Sequence, residues 1–352
     1  MKGPGTTLPY LSSVATPQAS AARGLGVVWL LLVALFGCWL VGGRSLEIGS
    51  DTETYAGFFE SLDHGVPDTR LEPGFAYLSY GLRLLGLGVP GYQAALFALL
   101  LLGVAIAVRI NHRAFPPTQA YATLLCASLL WLFVSPMFVN ASINAIRQGL
   151  AAPLVFAALL CFQQRRWWGF ALLGAIAASL HVSSLLYLLC APALLLRPTA
   201  LRAVAALAFL AYISGVSMKV VGMVSPTLYT TVMEYTANDN YRAGVRIDFA
   251  VFTIFWYLLV LAVSPWVQPA ARKPLQDAAS AYLVMVLPFF MIGWGYFSNR
   301  YLLPGWLAVS LILGAACCYS RIAPLRQPLL LGAGLAVACG VLFFYVSRGI
   351  VI

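Results

Sequence analysis

Arg147 is the residue whose type and position most clearly indicate chemistry. It lies in the segment Asn144-Ala-Ile-Arg147-Gln148, where a polar stretch meets a long apolar run. An arginine at membrane depth is costly and usually functional, and its planar guanidinium can bind a phosphate or a carboxylate through two parallel hydrogen bonds. Spacings of three and four residues predict that Asn144, Arg147 and Gln148 share one helix face. The alternative for Arg147 is a side chain that extends to the lipid headgroups.

Two residues are candidates for a catalytic base. His181 is the only histidine inside an apolar region. Its ring can take up a proton near neutral pH, and Ser184, one turn further on, could orient it. Glu72 directly precedes Pro73-Gly74, where the chain returns to the membrane; it could act as a base, bind sugar hydroxyls or hold Arg147. The alternatives are a purely structural histidine and a glutamate that only stabilises the start of the next helix.

Three further arginines come from separate segments. Arg242 lies in a polar loop, Arg246 precedes an apolar run, and Arg300 stands between two apolar runs. Several arginines that meet on one side of the membrane would suit the two phosphates of a pyrophosphate. For any one of them, anchoring at the lipid headgroups is an equal alternative.

Residues 51–63 have the pattern of an amphipathic helix. Ser50-Asp51-Thr52-Glu53 fits a capping box. Four large apolar residues then share one face at helical spacing: Tyr55, Phe58, Phe59 and Leu62. The pattern predicts a helix that lies on the membrane surface. Asp51, at its start, either binds substrate or only complements the helix dipole.

Sequence motifs of nucleotide-driven and hydrolytic enzymes are absent. The chain has no P-loop, no GxGxxG after a strand, and no GxSxG or HExxH. All seven cysteines lie in apolar runs, and none has zinc-site spacing. We therefore expect no cofactor, and no metal is strictly required, although the acidic loops could hold one. The energy must come from the substrate itself or from a gradient.

The composition places these residues in a membrane protein. The chain has 352 residues, of which 61% are hydrophobic and 9% charged, whereas a soluble domain has about 25% charged residues. Most of its surface must therefore face lipid. The net charge of +10 comes mostly from short gaps between apolar runs, so we expect no nucleic-acid partner.

The apolar runs predict an all-α polytopic membrane protein with about 11–12 membrane helices. Residues 1–24 form a polar cytoplasmic tail, and 25–352 form one membrane domain with extracytoplasmic loops at about 44–74 and 223–248. Residues 75–89 are predicted to be a short or re-entrant helix, and 167–196 a helical hairpin with His181 at its turn. Nine further apolar runs are 25–43, 92–109, 119–139, 148–163, 202–222, 249–267, 278–297, 300–319 and 327–347.

The charges predict an orientation. If the N-terminus is cytoplasmic and 75–89 does not cross, the basic residues of the short loops all fall on the cytoplasmic side. Ten of the eleven acidic residues then lie on the outer side, and only Asp277 does not. Because acidic residues do little to set orientation, this segregation indicates that the outer side carries the polar chemistry.

Five short motifs resemble those of the EpsG family, relatives of the Wzy-type O-antigen and exopolysaccharide polymerases. Their order and spacing match over roughly residues 45–310. The motifs are Asp51-x-x-x-Tyr55, Glu72-Pro73-Gly74-Phe75, Ile146-Arg147-Gln148-Gly149-Leu150-Ala151, His181-x-Ser183 and Asn299-Arg300-Tyr301. Ser184 fits the family's pattern only loosely, and the tail of the chain does not match.

The resemblance implies a glycosyl transfer at the periplasmic face of the bacterial inner membrane. An undecaprenyl-pyrophosphate-linked glycan is the donor, a hydroxyl of a second lipid-linked repeat unit attacks it, and lipid pyrophosphate leaves. His181, Glu72 and Arg147 would be catalytic. A chain-length regulator and a flippase of the same pathway would be partners. The substrate-binding residues would be Asp51, Tyr55, Asn144, Gln148, Arg242, Arg246, Arg300 and Tyr301.

Two other functions remain open at this stage. A glycosyltransferase with a monosaccharide-lipid donor would use a similar site but make single additions. A transporter or flippase of lipid-linked oligosaccharides would place its polar groups near the membrane midplane, with inverted repeats and broken helices. We find no convincing repeat, and the polar residues lie at the ends of the apolar runs.

Overall fold

The protein is all-α, as the sequence predicts. The computed structural model describes residues 17–234 and 243–350. The described residues form sixteen α-helices: α1 Pro17–Gly42, α2 Thr52–Glu60, α3 Pro73–Leu84, α4 Val89–His112, α5 Tyr121–Phe133, α6 Pro136–Ile143, α7 Ile146–Gln163, α8 Trp167–Leu180, α9 Ser184–Leu189, α10 Pro198–Ile213, α11 Val216–Val224, α12 Pro226–Glu234, α13 Ile247–Val263, α14 Pro269–Ile292, α15 Leu303–Cys318 and α16 Pro328–Ser347.

Six helices within the described ranges are long and apolar enough to cross a membrane, and the number rises to eight if two bent pairs each count as one span. The pairs are α5 with α6 and α10 with α11, each bent by 86°. Three apolar segments, at 167–180, 184–195 and 303–318, are shorter. Adding these three segments and the short helix α3 to the eight spans gives the predicted 11–12 membrane helices, which include the non-crossing α3 and the hairpin.

The loops gather at two ends of the helix bundle. At one end, which we call the Arg165 end, the ring of Phe115 stacks on Tyr319 at 4.5 Å. There the Arg321 amide also donates to the Trp266 carbonyl at 2.7 Å, and Gln163 donates to the Asp277 carbonyl. The loops that carry Arg113, Arg165, Arg272 and Arg321 therefore share this end, as the predicted threading requires. The opposite end, where α7 begins, is the Arg147 end.

Helix α3 does not cross the bundle. Its twelve residues reach about 18 Å, well short of the roughly 30 Å of a hydrocarbon core. Midway along it, Ser79 hydrogen-bonds to Tyr92 near the start of α4 at 2.9 Å. In its last turn, Arg83 pairs with Asp63. Both ends of α3 therefore lie at the Arg147 end. Helix α4 consequently starts at the same end of the bundle as α3.

The predicted hairpin at 167–196 is present. Ser184 on α9 donates a hydrogen bond to the Ala177 carbonyl of α8 at 3.2 Å, and Gly174 packs on Leu188. Helices α8 and α9 are thus antiparallel, and His181 lies at the turn between them. A 3₁₀ turn at Ala191–Leu195 completes the second arm.

Two details predicted for residues 51–63 are wrong. The residue that precedes the first turn of α2 is Asp51, not Ser50, and it makes no capping hydrogen bond. The apolar face of α2 is buried in the protein rather than left for lipid. Phe59 stacks on Tyr92 with ring centroids 4.1 Å apart, and Phe59 and Leu62 are fully buried. A protein surface, not a membrane surface, therefore positions this helix.

Helix α7 forms the centre of the bundle and is buried along most of its length. It packs on α4, α8 and α15, and small residues bring these neighbours close. An added Cβ at Gly149 would overlap the backbone of Ala141 on α6. The first turn of this central helix carries Arg147.

Candidate active site

Glu72, Arg147 and His181 come together at the Arg147 end from three separate segments. Glu72 precedes the first turn of α3, His181 follows the last turn of α8, and Arg147 is the second residue of α7. Glycine permits the approach of α3 to α8, because a Cβ at Gly74 would overlap the Ser179 side chain. The closely packed helix ends thus bring the three side chains into contact.

The Glu72 carboxylate bridges the other two residues. Oε2 pairs with Nη1 of Arg147. Oε1 lies 2.9 Å from Nδ1 of His181 and accepts the Val182 amide proton at 3.1 Å. Burial raises the pKa of Glu72, but the bonds from His181 and Val182 and the charge of Arg147 outweigh burial and lower that pKa to about 2. Glu72 is therefore ionised at neutral pH and is a poor base.

Arg147 is held on two sides. Besides its pair with Glu72, its Nε donates to the hydroxyl of Tyr55 at 3.1 Å. The side chains of Arg147 and Glu72 keep only 24% and 12% of their exposure, so the pair is poorly screened by water. Burial raises the pKa of Tyr55, although Arg147 opposes the shift, and its hydroxyl stays protonated. Sequence analysis offered the holding of Arg147 as one role for Glu72, and the structure shows this contact.

The contact with Glu72 selects one form of the His181 ring. An ionised carboxylate is only an acceptor, so Nδ1 must carry the proton, and Nε2 of the neutral ring is free to accept one. Ser184 does not orient the ring as predicted, because its hydroxyl donates to the Ala177 carbonyl. Glu72 takes that role from a position 109 residues away in the chain.

A cavity of about 440 Å³ lies beside His181. Arg300 lines it together with Gln148 and Tyr301, and much of the remaining wall is apolar, formed by Val182, Leu185, Leu186, Val232 and Phe297. Its basic and imidazole groups stand next to apolar surface. Such a cavity can hold an anionic group that is attached to a hydrocarbon chain.

Two side chains fix the turn that carries Arg300. Gln148 on α7 donates to the Arg300 carbonyl. Tyr187 on α9 donates to the Tyr301 carbonyl at 3.0 Å. Gln148 was predicted to bind substrate; it lines the cavity, and its amide nitrogen contacts this turn. Tyr187 was missed, because a tyrosine within an apolar run gives no signal in a single sequence.

Helix α12 was also missed. Sequence analysis predicted a loop over 223–248, but Pro226–Glu234 is helical. Thr231 and Val232 of α12 line the cavity, and an added Cβ at Gly295 would contact the Val232 carbonyl. One wall of the cavity therefore comes from a segment for which the sequence predicted only an extracytoplasmic loop.

Other predicted site residues lie elsewhere. Asn144 does not share a helix face with Arg147, because α6 ends at Ile143 and α7 begins only at Ile146. Asp51 accepts a hydrogen bond from Ser50. Arg246 pairs with Asp248 at 2.6 Å and does not line the cavity. Arg242 lies outside the described residues. Among the residues described, no group of three or more His, Cys, Asp and Glu side chains could hold a metal ion.

The chain matches a known protein family. A model of the EpsG family matches residues 27–346, nearly the whole chain. The chain belongs to the EpsG family. EpsG is a Wzy-type polymerase family, so membership indicates a role in polysaccharide polymerisation and a lipid-linked sugar as substrate. No curated protein and no solved structure matches the chain significantly.

Proposed function

We propose that this EpsG protein joins oligosaccharide repeat units linked to undecaprenyl pyrophosphate, at the periplasmic face of the bacterial inner membrane. Lipid pyrophosphate is the leaving group. The observation that carries the proposal is the Glu72 bridge between Arg147 and His181, beside a cavity that Arg300 also lines. A base and a cation for an anionic leaving group are the two functions that this transfer needs.

His181 is the base in this reaction. Its Nε2 takes the proton of an acceptor hydroxyl while the hydroxyl oxygen forms a bond to the anomeric carbon of the donor. The bond from that carbon to the pyrophosphate oxygen breaks, and the electron pair stays on the pyrophosphate. Glu72 stabilises the positive charge that His181 acquires, because its carboxylate lies 2.9 Å from the ring.

Arg300 and Arg147 have different electrostatic roles. Arg300 lines the cavity and stabilises the charge that grows on the leaving pyrophosphate. Arg147 is a positioning residue, since its contacts are with Glu72 and Tyr55. It keeps Glu72 ionised and in place beside His181. No nucleotide is needed, because the pyrophosphate linkage is already activated.

The placement on the periplasmic side rests on charge. The basic short loops share the Arg165 end, and basic loops favour the cytoplasm. The site lies at the other end, which also carries the acidic segment 47–72. Substrate that has reached the outer leaflet would find the cavity there, and a flippase and a chain-length regulator would be functional partners.

The decisive experiment compares arginine variants in cells that depend on this protein. Deletion should leave single repeat units on the lipid carrier and no long polymer. Arg147→Ala should reproduce that pattern while the protein still inserts. Arg83→Ala is the matched control, since Arg83 forms an exposed pair with Asp63 at the same end, and it should keep full polymer length. Normal polymer in Arg147→Ala cells would contradict the site assignment.

A flippase is the second candidate, because the two bent helix pairs resemble the broken helices of transporters. Purified protein in detergent separates the two functions, since micelles have no inner and outer leaflet. With lipid-linked repeat units as the only substrate, a polymerase makes a ladder of products and a flippase makes none. A glycosyltransferase with a monosaccharide-lipid donor would add single sugars instead.

A further inference from the structure

A second cavity, of about 270 Å³, lies apart from the active site between the end of α1 and the end of α16. It shares no lining residue with the cavity beside His181. Its wall consists of Trp39, Leu40, Gly43, Arg44, Ser45, Ile48, Val346 and Ser347. Arg44 is the one charged residue in this wall.

Arg44 is buried without a counter-charge among the described residues. The residue is only 8% exposed. It donates from Nη1 to the Val41 carbonyl at 2.5 Å and from Nη2 to the Thr52 hydroxyl at 3.4 Å, while its Nε has no partner. Burial lowers the pKa of Arg44 to about 10, so it is charged at neutral pH. A buried cation with a free donor favours an anion at this cavity.

The cavity lies at the level of the lipid headgroups. The candidate spans that form its two sides end at Gly42 and Ser347, so Arg44 stands two residues beyond the apolar part of α1. Trp39, which is 66% exposed, is a residue type that concentrates at membrane–water interfaces. Ser45 and Ser347 add two exposed hydroxyls at the same level.

We propose that this cavity binds the phosphate of a membrane glycerophospholipid. Arg44 donates to the phosphate oxygens, the serine hydroxyls complete the hydrogen bonds, and Trp39 packs on the glycerol and the upper acyl chains. Through Thr52 the site connects to α2, because the hydroxyl that accepts from Arg44 belongs to the first residue of that helix. The bound lipid would therefore fix the start of α2. The proposal does not depend on the function proposed above.

Thermal unfolding of the delipidated protein in detergent tests this site. Three additions are compared at equal ionic strength: phosphatidylglycerol, a diacylglycerol with the same acyl chains, and inorganic phosphate. We expect phosphatidylglycerol to raise the melting temperature by several degrees, and the other two to raise it by less than half as much. An equal rise with diacylglycerol, or with inorganic phosphate, overturns the proposal.

Two variants locate the effect. Arg44→Gln should abolish the advantage of phosphatidylglycerol, whereas Arg70→Gln, at an exposed position of the same outer segment, should keep it. Because Arg44→Gln could fail to fold, Ser347→Asp provides an independent test. A carboxylate there would replace the lipid phosphate, so that variant should melt at a higher temperature without lipid and gain little from phosphatidylglycerol. A full lipid effect in either Arg44→Gln or Ser347→Asp overturns the proposal.

Discussion

Two arginine–carboxylate pairs at the Arg147 end differ in the sequence separation of their partners and in the exposure of their carboxylates. Arg147 and Glu72 are 75 residues apart, and the Glu72 side chain is 12% exposed. Arg246 and Asp248 are two residues apart, and the Asp248 side chain is 60% exposed. The first pair joins the starts of two helices, whereas the second joins neighbours within one turn.

The difference shows what each pair contributes. The Asp248 side of the local pair is exposed to water, where an ion pair contributes about 0–1 kcal/mol. Arg246, itself 20% exposed, stacks on the ring of Phe249, 3.8 Å from its centroid. The distant pair exists only when α3, α7 and α8 are all in place. The presence of the distant pair therefore depends on the assembled site. Its loss should lower activity much more strongly than the loss of the local pair.

The largest effect should come from the two carboxylates. Glu72→Ala should lower the polymerisation rate by about 10³-fold, because His181 loses the group that fixes its tautomer and stabilises its charged form. Asp248→Ala should change the rate less than about twofold, since it removes only an exposed pair. Rates are measured with purified protein and lipid-linked repeat units. Similar losses in both variants would remove the distinction between the pairs.

The arginines provide the next comparison. Arg300→Gln should lower the rate by about 10²-fold, because a cation beside the leaving group is lost. Arg246→Gln should lower it only a few-fold, since Arg246 is engaged with Asp248 away from the cavity. Sequence analysis assigned substrate binding to both. A loss in Arg246→Gln as large as that in Arg300→Gln would restore the assignment for Arg246.

A smaller effect is expected from Tyr187→Phe. This variant keeps the ring but leaves the Tyr301 carbonyl without the hydrogen bond from Tyr187. A loosened Arg300 turn should lower the rate by about tenfold, equivalent to about 1.4 kcal/mol. Tyr229→Phe, on α12, is a control with the same chemical change. If the two variants have equal rates, Tyr187 does not position the turn.

The smallest effect concerns stability and pH. Because the folded-state pKa of Glu72 lies at about 2, below its usual 4.5, the ionised carboxylate stabilises the fold above pH 4.5 and loses that effect as the pH falls towards 2. Wild type should therefore melt at a higher temperature than Glu72→Gln at pH 6, and the difference should shrink at pH 3. Asp248→Asn should melt close to wild type at pH 6. A difference between wild type and Glu72→Gln that is independent of pH would show that Glu72 acts through packing alone.

Much of the fold followed from apolar periodicity. Most long runs became helices with boundaries close to those predicted, but α14 begins at Pro269 rather than at 278, and two runs are broken into α5–α6 and α10–α11. The hairpin at His181 followed from a run too long for one span and too short for two. Helix α12 was not predictable in the same way, since its polar sequence resembles a loop. The position of the break between α6 and α7 was also missed, because no proline or glycine marks residues 144–145.

The site was predictable in its residue types but not in its contacts. An arginine, a histidine and a glutamate at the edges of apolar runs stood out because membranes penalise such groups. The atomic contacts depend on side-chain packing between helices that are distant in the sequence. Residue spacing along the chain carries no information about those contacts. For that reason Glu72 was considered as a base, although the pKa that its partners lower to about 2 makes it a poor one.

Helix α3 has a consequence for biosynthesis. Since both of its ends stay at the Arg147 end, neither Glu72 nor Arg83 has to reside in the hydrocarbon core once the chain is inserted. In the proposed orientation α3 belongs to a translocated segment, and the Glu72 carboxylate avoids the several kilocalories that a charge costs at the bilayer midplane.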